Sequence, residues 1–455
     1  MHTAKRKGVL CFLTVLAVTG AYKSAFAACT RPYPLVPEFI SCTGVGGSAL
    51  GDLGVGNWII VSPSAVVTNV EGEWSNVLNA QGGGDIIDIG QNAVITGFVR
   101  GETLVGNGST GAADEIIIST NAHVYGSVLG DFIRGEDTTP GNIITGGGDH
   151  IYVNEATVDG WVMGDSLVFK PDDILNPQPG NFSAVGGDDE ITVYNGSTVG
   201  WVVGERITGS NSIGGSDTIT ITDSTVTDSV VGDYFVDGVN NIPSNHNRAA
   251  TNFITITGST IGNRVAGSMF VGDNNVAATE TLTLDSSSAR EVDGTYAVGD
   301  NNIAAPTTII IRNGSSVSDY VFGELMVGDS NVGANNNISI TDSLAGVVVG
   351  SGMLGGDNAG GNATITVSNS TVDAVVGDLF QYGDNNKAGN DTINVVSVAA
   401  PLITASMVII LMEGVDMWRV MTPSQSTMPR STAISTVNTM AQVPRRLPLE
   451  MTPSI

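Results

Sequence analysis

The chain reads as an all-β protein, a parallel β-solenoid built from repeats of about 28 residues, and three observations predict this. A short alternating strand signature recurs, two further sequence blocks keep register with it, and the residues between them are mostly Gly, Asn and Asp. The signature is Asp-Thr-Ile-Thr-Ile at 217–221, Phe-Ile-Thr-Ile-Thr at 253–257, Thr-Leu-Thr-Leu at 281–284, Asn-Ile-Ser-Ile at 337–340 and Thr-Ile-Thr-Val at 364–367. Looser copies begin at Asp85, Asp114, Asp149, Asp189 and Asp391. The first inward apolar residue of each copy is Ile87, Ile116, Ile151, Ile191, Ile219, Ile254, Leu282, Ile309, Ile338, Ile365 and Ile393. The intervals between them are 29, 35, 40, 28, 35, 28, 27, 29, 27 and 28, so three copies carry extra length.

The two accompanying blocks supply the corners. One is Ser-Thr-Val followed by Val-x-Gly-Asp or Val-Gly-Asp, as at 224–233 and 370–378; the other is Gly-Asp-Asn-Asn at 272–275, 299–302 and 383–386. Ile-Thr-Ile alternation puts apolar side chains on one face and hydroxyls on the other. One copy cannot bury that face alone, whereas copies stacked about 4.8 Å apart create a continuous Ile/Val column. Eleven coils at that spacing give a rod of roughly 50 Å. Gly and Asn tolerate the left-handed backbone that coil corners require. A propeller is the rival fold, but its blades need about 40–50 residues each.

The first residues read as a secretory signal, 1–27: Lys5, Arg6 and Lys7, an apolar run from Val9 to Val18, and a small-residue cleavage site at Ser24-Ala25-Phe26-Ala27. The run is too short for a permanent membrane-spanning helix. Cys11 lies inside it, and lipidation of Cys29 is a weaker reading because Phe26 and Ala27 make a poor attachment box. Residues 28–80 read as an N-terminal cap, in which Cys29 and Cys42 form an even pair that predicts a local disulfide in an exported chain. The repeats occupy 81–396. Between 28 and 400, 42 Asp and Glu stand against 10 Lys and Arg, a net of 32 negative charges that disfavours nucleic acid and anionic lipid as partners.

The extra length falls at 132–148, 166–188 and 234–252 and includes Pro140, Pro171, Pro177, Pro179 and Pro243. Loops protruding from a regular scaffold often carry recognition, and neutral drift explains them equally well. After about residue 396, Met, Pro and Arg replace Gly, Asp and Asn, and the signature vanishes. A separate terminal domain is one explanation. The genetic code offers another, since Met-Thr-Pro-Ser occurs at 421–424 and again at 451–454. Read one nucleotide back, the codons of 417–424 are compatible with Val-Ala-Gly-Asp-Asp-Thr-Val, close to Lys-Ala-Gly-Asn-Asp-Thr-Ile at 387–393. The segment 397–455 is therefore read as an out-of-frame translation of further repeats.

At Gly-Gly-Asp-Asp-Glu-Ile-Thr-Val (186–193) and Gly-Gly-Ser-Asp-Thr-Ile-Thr-Ile (214–221) the chain resembles the passenger regions of bacterial autotransporters, over roughly 28–395. The resemblance implies a right-handed β-helix displayed at the outer membrane for adhesion, aggregation or biofilm formation. Its expected partners are protein or glycan molecules on host or neighbouring cells. It also implies a translocator barrel ending in an aromatic residue, which this chain does not show, so the expected location of the chain as written is the periplasm. A decayed remnant without a present role is a further reading.

No catalytic, cofactor-binding or metal-binding set stands out. A polysaccharide-active β-helix enzyme is the catalytic alternative, and the resemblance to such enzymes implies clustered acids beside a Lys or Arg base. Here Arg31, Arg100, Arg134, Lys170, Arg206, Arg248, Arg264, Arg290, Arg312 and Lys387 are scattered. His123, His150 and His246 lack metal-ligand spacing. Arg100-Gly101-Glu102 and Arg134-Gly135-Glu136 look only superficially like integrin tripeptides. Trp161 and Trp201 occupy equivalent positions and either stack on a sugar or pack at a corner. Asp273, Asp300, Asp329, Asp357 and Asp384 recur at Gly-Asp turns and form the one arguable calcium column. Neither a nonapeptide β-roll pattern nor an EF-hand loop accompanies them, so solvent screening is expected there rather than specific sites.

Overall fold

An Ile-Thr-Ile strand with one apolar face needs a partner, and here the partner is the next copy of itself. The computed structural model describes residues 28–30, 39–135, 143–169, 183–236 and 245–396, and these form a parallel β-helix without any helix among them. The first face is a 14-stranded sheet and the second a 17-stranded sheet. A third, narrower face is held by single-residue parallel bridges from Val185↔Ile213 to Ala359↔Lys387 and by the pair Ile143–Thr145 and Ser183–Val185. The segment 1–27 read as a signal, the tail 397–455 and the insertion prolines lie outside the described residues.

On the first face, the inward column runs in register from Ile87↔Ile116 through Ile219↔Ile254 and Leu282↔Ile309 to Ile365↔Ile393. All of these side chains are buried except Ile393, which packs half-buried at the last coil. The stack also extends further back than the repeat signature does. Phe39–Thr43 pairs in parallel with Trp58–Val61, and the latter with Ile86–Ile89, so coiling begins inside the segment read as a cap. Among the described residues only Ala28–Thr30 pairs antiparallel, and a disulfide joins Cys29 to Cys42 across that pair. These early coils escaped the repeat count because Ile-Ser-Cys and Ile-Ile-Val lack the Asp and Thr of the later copies.

The corners are hydrogen-bond ladders. At the first corner, a Ser hydroxyl accepts the backbone N–H of the equivalent residue one coil earlier: the Ser224, Ser259 and Ser287 N–H groups donate to the hydroxyls of Ser259, Ser287 and Ser315 at 3.0, 3.1 and 3.1 Å. At the third corner, an Asn side chain does the same, with the Asn275, Asn302 and Asn331 N–H groups donating at 2.9, 2.8 and 2.7 Å to Asn302, Asn331 and Asn358. The residue before the laddered Asn is left-handed, at φ 60° for Asn274 and 57° for Asn301, which suits asparagine. Gly135, Phe169 and Val236 lie within one residue of the same register point at the end of the second-face strands.

Candidate functional site

The interior has two apolar cores. The larger is built from the Ile column and the facing Val residues, such as Val128, Val162 and Val202; the smaller from Leu104, Ile133, Leu167, Ile207, Phe235 and Phe270. Between them, at the Val-x-Gly-Asp bend, the chain turns an acidic side chain inward. In register on the second face stand Glu73↔Glu102, Glu102↔Asp131, Asp131↔Asp165, Asp165↔Glu205 and Glu205↔Asp233. A second inward column comes from the residue ahead of each first-face strand: Asp85, Asp114, Asp149, Asp189 and Asp217. All eleven are buried, at 0–3 % exposure.

The flanking glycines are part of this construction. A Cβ at Gly72, Gly101, Gly130, Gly164 or Gly204 would collide with the carboxyl of Asp85, Asp114, Asp149, Asp189 or Asp217 respectively. A Cβ at Gly82, Gly111, Gly146, Gly186 or Gly214 would collide with that of Glu102, Asp131, Asp165, Glu205 or Asp233. Side-chain-free backbone therefore lines both columns, which explains the Gly preceding Glu73, Glu102, Asp131, Asp165 and Glu205 in the bend column.

Each acid of the strand-start column is half satisfied. One oxygen accepts a backbone N–H from the previous coil: Asp85 from Asn57 at 2.5 Å, Asp114 from Asp85 at 2.6 Å, Asp149 from Asp114 at 2.8 Å and Asp189 from Asp149 at 2.7 Å. The other oxygen, Oδ2 of Asp85, Asp114, Asp149, Asp189 and Asp217, is buried without a hydrogen-bond partner. The bend column behaves alike. Gly147 donates to Asp131 at 2.7 Å and Gly187 to Asp165 at 2.8 Å, leaving Asp131 Oδ1, Asp165 Oδ1 and Glu205 Oε2 unpaired. Oxygens of the two columns converge in four triads whose ligand atoms lie within 4.8 Å of one another: Glu102–Asp114–Asp131, Asp131–Asp149–Asp165, Asp165–Asp189–Glu205 and Glu205–Asp217–Asp233.

Burial, then mutual repulsion, pushes these carboxyls upward. Desolvation raises Asp85 to about 8, and it raises Glu102 to about 12 with Asp131 and Asp114 adding repulsion. Asp131 and Asp233 are raised to about 7, desolvation being opposed by backbone and side-chain hydrogen bonds. Asp149, Asp165, Asp189, Glu205 and Asp217 are all raised well above the ordinary carboxylate range by burial and by one another. Two unit charges one coil apart repel by about 3–4 kcal/mol at an effective dielectric of about 20. Such an array is stable only with protons or cations on it.

Known proteins offer no template for this interior. No protein family, curated protein or solved structure matches the chain.

The residues singled out from sequence are distributed differently. Asp273, Asp300 and Asp329 stay at the exposed turns, and each already accepts a backbone N–H from the following coil, from Asp300 at 2.8 Å, Asp329 at 2.7 Å and Gly356 at 2.7 Å. Their regularity is thus accounted for by turn hydrogen bonding. His123 meets Asp159 at 3.0 Å and stacks on Tyr125, His150 lies 4.0 Å from Glu190, and His246 sits alone at an exposed corner, so the three do not converge. Glu102 of the first integrin-like tripeptide points into the interior and is not displayed. Arg264 pairs with Glu291 at 2.8 Å and Asp293 at 2.9 Å, a contact between neighbouring coils that spacing alone did not bring out.

Outside the cores, Trp161 and Trp201 stack with ring centroids 4.9 Å apart, and Tyr234 continues the stack 6.4 Å from each. The rings are half-buried on Leu129, Met163 and Val203, so they are neither core nor freely displayed.

Proposed function

We propose that this chain is an exported, passenger-type repeat rod of the cell surface, acting in adhesion, aggregation or biofilm formation without catalysis. The observation that carries the reading is the stack of Trp161, Trp201 and Tyr234 on the outer side of the second face, joined to Phe132 and an underlying aliphatic layer. Flat, half-exposed rings on a rigid support suit sugar faces and apolar side chains of a partner, because they bury area with little loss of side-chain entropy. The net negative surface keeps such a rod soluble and away from anionic lipid. Export accounts for the disulfide at the first coil.

The test is a cell-adhesion and autoaggregation assay on cells displaying the chain, comparing it with Trp161→Ala/Trp201→Ala. The double variant should keep the far-ultraviolet dichroism of the β-helix and lose most of the adhesion. Unchanged adhesion removes the aromatic stack from the account, and degradation of a polysaccharide panel by the purified chain would favour the enzyme reading instead.

A further inference from the structure

The four triads pose a chemical problem that the chain does not solve with its own side chains. They draw on nine carboxylates, because Asp131, Asp165 and Glu205 each serve two triads. Asp131 Oδ1, Asp149 Oδ2, Asp165 Oδ1 and Glu205 Oε2 are buried in residues of 0 % exposure and have no hydrogen-bond partner. Their positions are fixed by the backbone N–H groups on the opposite oxygens, and in each triad carboxylate oxygens from both columns lie within 4.8 Å of one another.

We propose that the interior between Glu102 and Asp233 is a metal site, a file of divalent cations of the calcium type, each held by one triad of carboxylate oxygens. The donors select the ion. They are all hard oxygens, with no His or Cys in the triads to favour zinc. Calcium–oxygen bonds of about 2.3–2.6 Å place oxygens on opposite sides of the ion about 4.6–5.2 Å apart, while magnesium brings them to about 4.0–4.2 Å. Triad oxygens that all lie within 4.8 Å of one another are close enough to share one calcium-sized ion. Charge agrees as well, since four dications nearly neutralise the nine carboxylates of the triads. The shared acids bridge neighbouring ions, so filling one triad weakens the next.

The later coils of the same rod provide an internal control. Beyond Asp233 the bend column continues as Ser268 and Thr295, and the strand-start column as Asn252, Glu280 and Thr307. There neutral side chains bond the neighbouring acids: Ser268 donates to Glu280, and Asn252 Nδ2 donates to Asp233 at 2.8 Å. Neutral groups therefore fit the position, and the acids of the earlier coils serve something that a neutral group does not.

The rival is a file of protons shared between paired acids, and one experiment separates the two. The full chain is unfolded in chelator, refolded with or without calcium chloride at pH 7.5, desalted, and assayed for bound metal by mass spectrometry and for thermal unfolding by circular dichroism. The expected result is two to four calcium ions retained per chain, as the four triads allow, and a melting temperature raised by more than about 10 °C. In Asp131→Asn/Asp165→Asn/Glu205→Gln, retained calcium should fall below one ion per chain. The chelated variant should melt above the chelated wild type, since amides relieve the repulsion. Asp300→Asn/Asp329→Asn, at the exposed turns, should leave the calcium count unchanged. Retention of less than one ion by the wild type, with melting indifferent to calcium, overturns the proposal and leaves the proton file. Loss of calcium on changing only the turn acids overturns it too, by moving the site to the surface.

Discussion

The coils before and after Asp233 share one backbone plan and differ in what fills its interior. Both halves stack a first-face Ile or Leu column and both turn the second face with a Gly. In the early coils the gap between the two apolar cores carries Glu or Asp from both columns; in the later ones it carries Ser268, Thr295, Asn336 and Ser351, with Glu280 and Glu324 each hydrogen-bonded to a neutral neighbour. The later half, where Glu280, Glu324, Asp378 and Asp391 are the acids that remain at these positions, shows that neutral groups can take many places in the seam. Architecture alone therefore does not require the acid file. The aromatic stack of Trp161, Trp201 and Tyr234 lies on the outside of the coils whose inside is charged.

The largest effect that sharpens this contrast is pH. Asp131 and Asp233 titrate near 7 and Asp85 near 8 in the folded chain, all raised first by burial. An unfolded Asp titrates near 4, so between about pH 4 and pH 8 the folded state holds more protons than the unfolded one, and stability falls as pH rises through that window. Calcium-free protein should therefore melt several degrees higher at pH 5 than at pH 8. Calcium competes with protons, so its stabilisation should grow toward pH 8 and flatten or reverse the slope. A calcium-free melting temperature that rises with pH would contradict the buried-acid picture.

Second in size is the transplant Ser268→Asp, which extends the acid column by one coil beside Glu280 and Asp233. Without calcium it should cost about 3–5 kcal/mol in chemical denaturation, as an uncompensated buried charge does. Ile254→Ala and Ile191→Ala probe what the halves share. Both side chains are buried in the same column, and each truncation should cost about 2–5 kcal/mol with little dependence on calcium. The smallest effect is expected from Asn302→Ala, at about 1–3 kcal/mol. It leaves the Asn275 N–H, now bonded at 2.9 Å, without a partner inside the third corner.

Much of this plan was legible in the residues. The inward column from Ile87 to Ile393 follows from two-residue alternation, which a flat strand obeys strictly. The Ser-Thr-Val and Gly-Asp-Asn-Asn blocks marked the corners because laddered Ser and Asn must recur once per coil. Asp85, Asp114, Asp149 and Asp189 were visible as repeat markers, yet their burial was not. Alternation says nothing about the sense of a side chain after a bend, and at Gly101-Glu102 or Gly130-Asp131 the turn carries the acid to the interior. The usable signal was the recurrence of two acids per coil, each one glycine away from the other column. Attention to acidity alone pointed instead to Asp273, Asp300 and Asp329, whose carboxyls bond the next turn.

The most direct test of the difference between the halves is residue-resolved hydrogen exchange of the full chain at pH 7.5, with calcium and with chelator. Calcium should strengthen protection of the first-face strands Glu115–Ile118, His150–Asn154, Glu190–Tyr194 and Thr218–Thr222 by an order of magnitude or more. Thr307–Arg312, Asn337–Thr341 and Thr364–Ser368 should change little. Equal protection of both groups in the two conditions, or a gain confined to the later strands, would contradict the assignment of a cation file to the acidic coils.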